Sequence, residues 1–326
     1  MWLNKLERAG RGTLAEEREA IVRQFPGQQQ PDILFMLKIA AYHSPLLLAE
    51  AVSLLAEEGR TVIAGGTDLL VNPRYMVGVR EVVDIRKLGL DYIREENGWL
   101  YIGAGTTMRT VAGHPKVQAL ADGILARSAA VCGSPNIRNM ATLAGNVASA
   151  HPSADTPPSL LALDAQAVLV SIQGERVVSL DSFFIGPGKS VRQHELIREL
   201  RIPLANLDRL RGGFYKIGRT AEDISIVNAA TTLNIQDGVI IAARLVMGAV
   251  APIPLRTVQA EKALTGQFPT EETFRRAAEI VREEVRPIGD HRASADYRRR
   301  MSGVAAVRAL RQAAGLAPHG EEWHHA

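Results

Sequence analysis

The chain has 326 residues, 46% hydrophobic and 22% charged, enough apolar content to bury a core in two or three modest domains. A net charge of +3, carried by scattered basic residues, gives no electrostatic footprint for nucleic acid. The single cysteine, Cys132, excludes an internal disulfide and any iron–sulfur cluster ligated by this chain alone. No apolar run reaches 18 residues and the first residues lack the apolar core of a signal peptide, so no membrane span is expected and the cytoplasm is the default location.

In chain order, residues 1–36 read as a polar N-terminal extension, with a helix over "LAEEREAIVRQF" and a breaker at "PGQQQPD". Helical periodicity over 49–58 stops at Gly59, and strands follow at 61–64 and 81–85, a small α/β unit ending near residue 90. Strands at 100–102 and 167–172 then bracket helices at about 107–113, 117–131 and 155–164. A third unit starts near Gly212, with strands in "GGFYKIGR" and a hairpin turning at Gln236-Asp237-Gly238. Pro252 and Pro254 close its strands, and helices follow at about 257–264, 270–285 and 293–313. Arg298-Arg299-Arg300 reads as a solvated helix face, and the tail 316–326, with His319, His324 and His325, as unstructured chain rather than a metal site. Cys132 reads as a small buried hydrophobe.

Two short glycine-centred loops carry the functional signal. The first is Ala64-Gly65-Gly66-Thr67-Asp68-Leu69, directly after an apolar run. The second is Ala141-Thr142-Leu143-Ala144-Gly145-Asn146, followed by His151-Pro152-Ser153-Ala154-Asp155. Either alone is most simply an ordinary turn. Together they can grip a diphosphate from two sides, because backbone N–H groups converge where no Cβ blocks approach. Neither fits the P-loop or the Rossmann dinucleotide fingerprint. No Ser-His-Asp spacing, HExxH helix or carboxylate pair stands out, so catalytic residues are expected to be none beyond a bound cofactor.

The stretches "IAGGTDLL", "YIGAGTT", "GSPNIRNMATLAGNVASAHPSADTPPSLLALDA", "FFIGPGK", "ELIRELRIP", "FYKIGRTAEDISIVNAA" and "GAVAPIPLR" resemble, in order, the FAD-binding medium subunit of molybdenum hydroxylases. That family includes xanthine dehydrogenases, aerobic carbon monoxide dehydrogenases and nicotinate dehydrogenases. The resemblance covers about residues 37–315. It implies an α+β fold: a two-lobed FAD-binding domain of the vanillyl-alcohol-oxidase type over 37–211, with lobes at about 37–90 and 91–211. A small α/β C-terminal domain of the CO dehydrogenase flavoprotein type is implied over 212–315. It also implies FAD as cofactor, a large subunit with the molybdenum cofactor, a small subunit with two [2Fe–2S] clusters, and NAD+ or another electron acceptor.

By the same resemblance the cofactor is contacted by Val62, Ile63, Ala64, Gly65, Gly66, Thr67, Asp68 and Leu69, and by Thr142, Ala144, Gly145 and Asn146. Gly65, Gly66, Thr67, Gly145 and Asn146 are the expected amide donors. Ala144-Gly145 stands where many relatives have Gly-Gly, which is tolerable unless Ala144 needs positive φ. Asp155 is expected at ribose or adenine, with an N-cap role open beside it. Ile197 is expected against the ring system, and Lys216 near the flavin as a cation favouring its reduced form. Cys132 falls where some relatives place an aromatic. His151 is open between a phosphate contact and a turn. Asp223 is expected to order local backbone, and Arg138 and Asn139 to support the second loop rather than contact substrate. The alternatives are a self-contained FAD-dependent oxidoreductase and a non-enzymatic flavoprotein-like scaffold or assembly protein.

Overall fold

The computed structural model describes residues 39–205 and 207–316. The expected helix in "LAEEREAIVRQF" and the terminal histidines lie outside the described residues.

A small parallel sheet comes first. β1 (Ala41–His43) and β2 (Arg60–Ile63) flank β3 (Glu81–Asp84), and α1 (Leu48–Leu55) crosses between them. Ala51, Val52 and Leu55 form the buried face of α1, a one-turn spacing that produces the helical period in the sequence. The helix stops before Gly59, whose φ of +82° turns the chain into β2. The first glycine loop leaves the C-terminal end of β2, the edge at which open parallel sheets bind ligands.

The second sheet is antiparallel. β4 (Ile93–Glu96), β5 (Trp99–Gly103), β6 (Gln166–Ser171), β7 (Gly174–Ser179) and β10 (Leu196–Pro203) are ordered β4-β5-β10-β6-β7. The central β10 pairs Leu200 with Ile102 of β5 and with Ala167 of β6. A bulge between Ile197 and Glu199 shifts its register toward β6. A small hairpin of β8 (Phe184–Gly186) and β9 (Lys189–Ser190) precedes β10.

Between β5 and β6 lie the short helices α2 (Met108–Gly113), α3 (Pro115–Gln118), α4 (Ile124–Ala130), α5 (Pro135–Met140), α6 (Leu143–Ala148) and α7 (Thr156–Ala162). The single helix expected over 117–131 is broken. Ala121, Asp122 and Gly123 all take left-handed backbone angles between α3 and α4. The cause is tertiary: Asp122 Oδ2 accepts the Gly212 N–H at 3.1 Å and Arg211 Nε at 2.7 Å. A Cβ on Gly212 would lie 2.0 Å from the Ala121 carbonyl oxygen.

The third sheet, β11 (Leu210–Ile217), β12 (Val227–Gln236), β13 (Val239–Gly248) and β14 (Leu255–Arg256), is an antiparallel meander. The β12–β13 turn at Asp237 (φ 50°) and Gly238 (φ 78°) has the two positive φ angles of a type I′ hairpin. Pro252 and Pro254 do not end the strands, because β14 adds two more pairs, at Leu255 and Arg256. One face of this sheet, with Phe214, Ala230 and Val246, joins the core of the first two sheets. The other, with Ala229, Leu233, Leu245 and Met247, packs under α8 (Val258–Leu264), α9 (Glu271–Glu284) and α10 (Ala295–Ala313). Burial on both faces explains why β12 reads as a continuous run without alternation.

Arg298 corrects the reading of the Arg298–Arg300 run as solvated. It is 3% exposed and donates to the carbonyls of Ile226 and Ala249 and to Asp290. No described helix is long and apolar enough to cross a membrane.

Candidate cofactor-binding site

A cleft of about 460 Å³ lies between the two glycine loops. Val62, Ile63, Ala64, Gly65, Gly66, Thr67, Asp68 and Leu69 line one side, and Thr142, Ala144, Gly145, Asn146 and Ile197 contribute to the other. Val62, Ile63, Ile85, Ala104, Leu196 and Ile197 make its walls largely apolar, as a ring system requires.

The loops play different parts. In the first, the N–H groups of Gly65, Gly66, Thr67, Asp68 and Leu69 meet no acceptor among the described residues. Five adjacent free donors beside a cavity form a cradle for an anion. Gly66 has φ +68°, where an L side chain is strained. Gly65 is needed for another reason: a Cβ there would lie 1.9 Å from the Met140 carbonyl oxygen. Its hydrogen side therefore faces the second loop rather than a ligand.

The second loop is the cap of α6. Thr142 Oγ1 accepts the Gly145 N–H at 3.0 Å, and the Thr142 carbonyl accepts the Asn146 N–H at 3.0 Å. Gly145 and Asn146 thus line the cleft but do not supply the free amides expected of them. Asn146 Oδ1 also accepts the Thr156 hydroxyl at 2.6 Å, tying α6 to α7. Ala144 is helical, so its Cβ is tolerated without strain.

Asp155 and Lys216 are not among the lining residues. They pair with each other: Lys216 Nζ lies 2.8 Å from Asp155 Oδ2 and donates to the Val131 carbonyl at 2.9 Å. Both are buried. Ser225 Oγ (2.6 Å) and Asn228 Nδ2 (3.4 Å) also donate to Asp155 Oδ1. Burial pushes the Asp155 carboxyl above its ordinary range, against the pull of Lys216, Ser225 and Asn228. Asp155 precedes α7 but makes no side-chain cap bond. The pair lies behind Cys132, which does line the cleft and follows the Val131 carbonyl that holds Lys216. Burial, with Asp155 adding to it, pushes the Cys132 thiol up to about 12.

His151 fills a turn, its Nδ1 accepting the Ser153 N–H at 3.1 Å. Arg138 donates to the Gly133 carbonyl, Asn139 Oδ1 accepts from Arg109, and Asp223 pairs with Arg219 at 2.9 Å. Only the Arg138 bond reaches backbone; Asn139 joins a side chain 30 positions away and Asp223 one four positions away.

Sequence reasoning missed Tyr75, Ser149, Gly188, Arg192 and Ile224, which also line the cleft. Tyr75 donates its hydroxyl to the Ser149 carbonyl at 2.9 Å, joining the segment after the first loop to the end of α6. No local pattern marks these positions, because four separate chain segments meet there. The turn "GPGK" at Gly188 is the one signal present in the sequence.

Free amides from one loop, a capped helix opposite and apolar walls define a flavin-dinucleotide-binding protein of the two-lobed type, with an added sheet-and-helix domain. The chain belongs to the family described as "FAD binding domain in molybdopterin dehydrogenase", which matches residues 36–205. Residues 213–313 match the "CO dehydrogenase flavoprotein C-terminal domain". The xanthine dehydrogenase FAD-binding subunit of Escherichia coli O157:H7 is 31% identical, over 81% of this chain and 92% of that protein. The nicotinate dehydrogenase FAD-subunit of Eubacterium barkeri is 31% identical, with the same two coverages of 81% and 92%. Among solved structures, a carbon monoxide dehydrogenase from Hydrogenophaga pseudoflava, lacking the Mo-pyranopterin moiety of its molybdenum cofactor, superposes with a TM-score of 0.81. It is 31% identical, covering 85% of this chain and 98% of that one.

Proposed function

We propose that this chain is the FAD-carrying electron-transfer subunit of a cytoplasmic molybdenum-containing hydroxylase or dehydrogenase. It works with a large molybdopterin subunit that oxidises substrate and a small subunit bearing [2Fe–2S] clusters. Electrons pass from those clusters through the flavin held here to NAD+ or another acceptor. The bound flavin supplies the redox chemistry. The protein's residues bind and orient it.

The observation that carries this reading is the row of free N–H groups from Gly65 to Leu69 beside an apolar cleft. In this assignment those amides hold the diphosphate, Thr67 and Thr142 add hydroxyls, and Val62, Ile63, Ala64 and Ile197 enclose the rings. Ala144, Gly145 and Asn146 form the facing wall. Asp155 and Lys216 act through the backbone at Val131 and Cys132, which their ion pair fixes. The division of labour runs with chain segments: a flavin domain over 37–211, in lobes at about 37–90 and 91–211, and a C-terminal domain over 212–315. A self-contained oxidoreductase needs an acid–base pair at the cleft. Its ionisable lining groups are Asp68, Tyr75, Cys132 and Arg192 among the described residues, with no carboxylate–histidine pair.

The test is an absorbance spectrum of the purified chain, with the cofactor released by denaturation and weighed by mass spectrometry. One FAD per chain is the expected result. A colourless protein that also refuses added FAD would overturn the reading.

A further inference from the structure

The cleft holds one cation among its described lining residues, and it is not the lysine that the sequence nominates. Lys216 is committed to Asp155. The charged residues on the cleft surface are Asp68 and Arg192. Arg192 sits between β9 and β10, in the stretch that also brings Gly188, Leu196 and Ile197 to the cleft. It lies 123 or more positions beyond the first loop, and only folding brings both to one cleft.

Its hydrogen bonding is incomplete. Nη1 donates to the Glu195 carbonyl at 3.0 Å. Nε is buried and has no partner. The nearest carboxylate in sequence, Glu195, is already taken by Arg176, with Nε–Oε1 at 2.6 Å and Nη2–Oε2 at 2.7 Å. Arg192 is thus a guanidinium with a stranded N–H, and the carboxylate nearest to it in sequence is hydrogen-bonded by another arginine. A guanidinium stays protonated at any physiological pH, so it cannot relieve this by losing its charge. A stranded buried donor on a charged group costs free energy, and an anion in the cleft offsets the guanidinium's charge. The planar fork of arginine matches phosphate oxygens in particular. The first loop brings amides to the cleft but no cation, and its one charged side chain is the carboxylate of Asp68.

We propose that Arg192 is a binding residue for the diphosphate of a dinucleotide in this cleft, supplying the positive charge that the glycine loop lacks. This rests on the reading of the cleft as an FAD site. The ligand class follows from the donors: a diphosphate ester, read by charge and amides, with no demand on the flavin end.

The test uses the full chain stripped of flavin, in wild-type form and as Arg192→Met and Arg192→Lys. FAD, riboflavin and inorganic pyrophosphate are the probes. Arg192→Met is expected to weaken FAD binding roughly ten- to hundredfold, the range of a hydrogen bond to a charged group. Arg192→Lys is expected to fall between it and wild type. Riboflavin, which has no phosphate, is expected to bind all three forms alike. Pyrophosphate is expected to compete with FAD on wild type and less well on Arg192→Met. FAD affinity equal to wild type in Arg192→Met would overturn the inference while leaving the FAD site intact. So would an equal loss of riboflavin binding, which places Arg192 at the ring instead. Wild type that binds no FAD would overturn the site reading itself. Should Arg192→Met fail to fold by circular dichroism, Arg192→Gln carries the same comparison.

Discussion

Gly65 and Gly213 make the same contact in two regions with opposite consequences. Each lies where a Cβ would come within 1.9 Å of a backbone carbonyl oxygen, Met140 for Gly65 and Ala309 for Gly213. At Gly213 the contact seats α10 on β11, and the small face of α10 (Ser302, Gly303, Ala305, Ala306, Ala309) continues it. Both partners there have their backbone bonds made within helix and sheet. At Gly65 the contact presses one loop on another, and the amides beside it stay free. Close approach therefore seats a helix on a sheet in the C-terminal layer and leaves unpaired donors at the cleft.

The ion pair that joins these regions offers the largest break. Lys216→Met leaves Asp155 buried among Ser225 and Asn228 without its cation, and a loss of about 3 kcal/mol is expected. Urea unfolding measures it. Asp155→Asn in the same chain should restore much of that loss, since the double variant buries no charge. A double variant no better than Lys216→Met would show the pair is not the cause.

The two glycines sharpen the contrast. Gly213→Ala is expected to cost about 2–3 kcal/mol by overpacking, yet its folded fraction should hold FAD at wild-type affinity. Gly65→Ala should cost about 1–2 kcal/mol because a loop can shift, and FAD affinity should fall instead. Thermal unfolding with FAD titration reads both. Equal losses of FAD in the two variants would erase the distinction between the two glycines.

A smaller effect separates the regions by pH. Asp290 works against some burial, but accepts the N–H groups of Arg292 and Ala293 and pairs with Arg298, which holds its carboxyl well below the usual carboxylate range. A carboxyl depressed in the folded state stabilises above its unfolded value near pH ~3.9 and loses that stability as pH falls toward the folded value. Asp290→Asn should thus lower stability by about 1 kcal/mol at pH 7 and flatten the decline below pH ~4. An unchanged acid limb would remove Asp290 from the C-terminal layer's stability. The smallest effect concerns Cys132. Its thiol, pushed up to about 12 by burial, should resist iodoacetamide at pH 8 in the folded protein although it lines the cleft. Rapid alkylation would show the cleft wall to be open there.

Local chemistry made much of this protein legible in its sequence. Hydrophobic spacing located α1, α9 and α10, Asp237-Gly238 located the hairpin, and the small residues after β2 located the loop with free amides. These signals are readable because one turn of chain contains both the cause and its effect. The fold decided the remainder. The helix expected over 117–131 broke at Ala121–Gly123 because Gly212, some 90 residues on, occupies the space. Arg298 went inside because two carbonyls of distant strands needed a donor. Gly145 proved a partner of its own helix cap, and Asp155 and Lys216 found each other behind the cleft instead of within it. Arg192 reached the cleft without any motif to announce it. Each of these outcomes depends on which unpaired donor meets which acceptor across long sequence separation, and only the packed chain determines that.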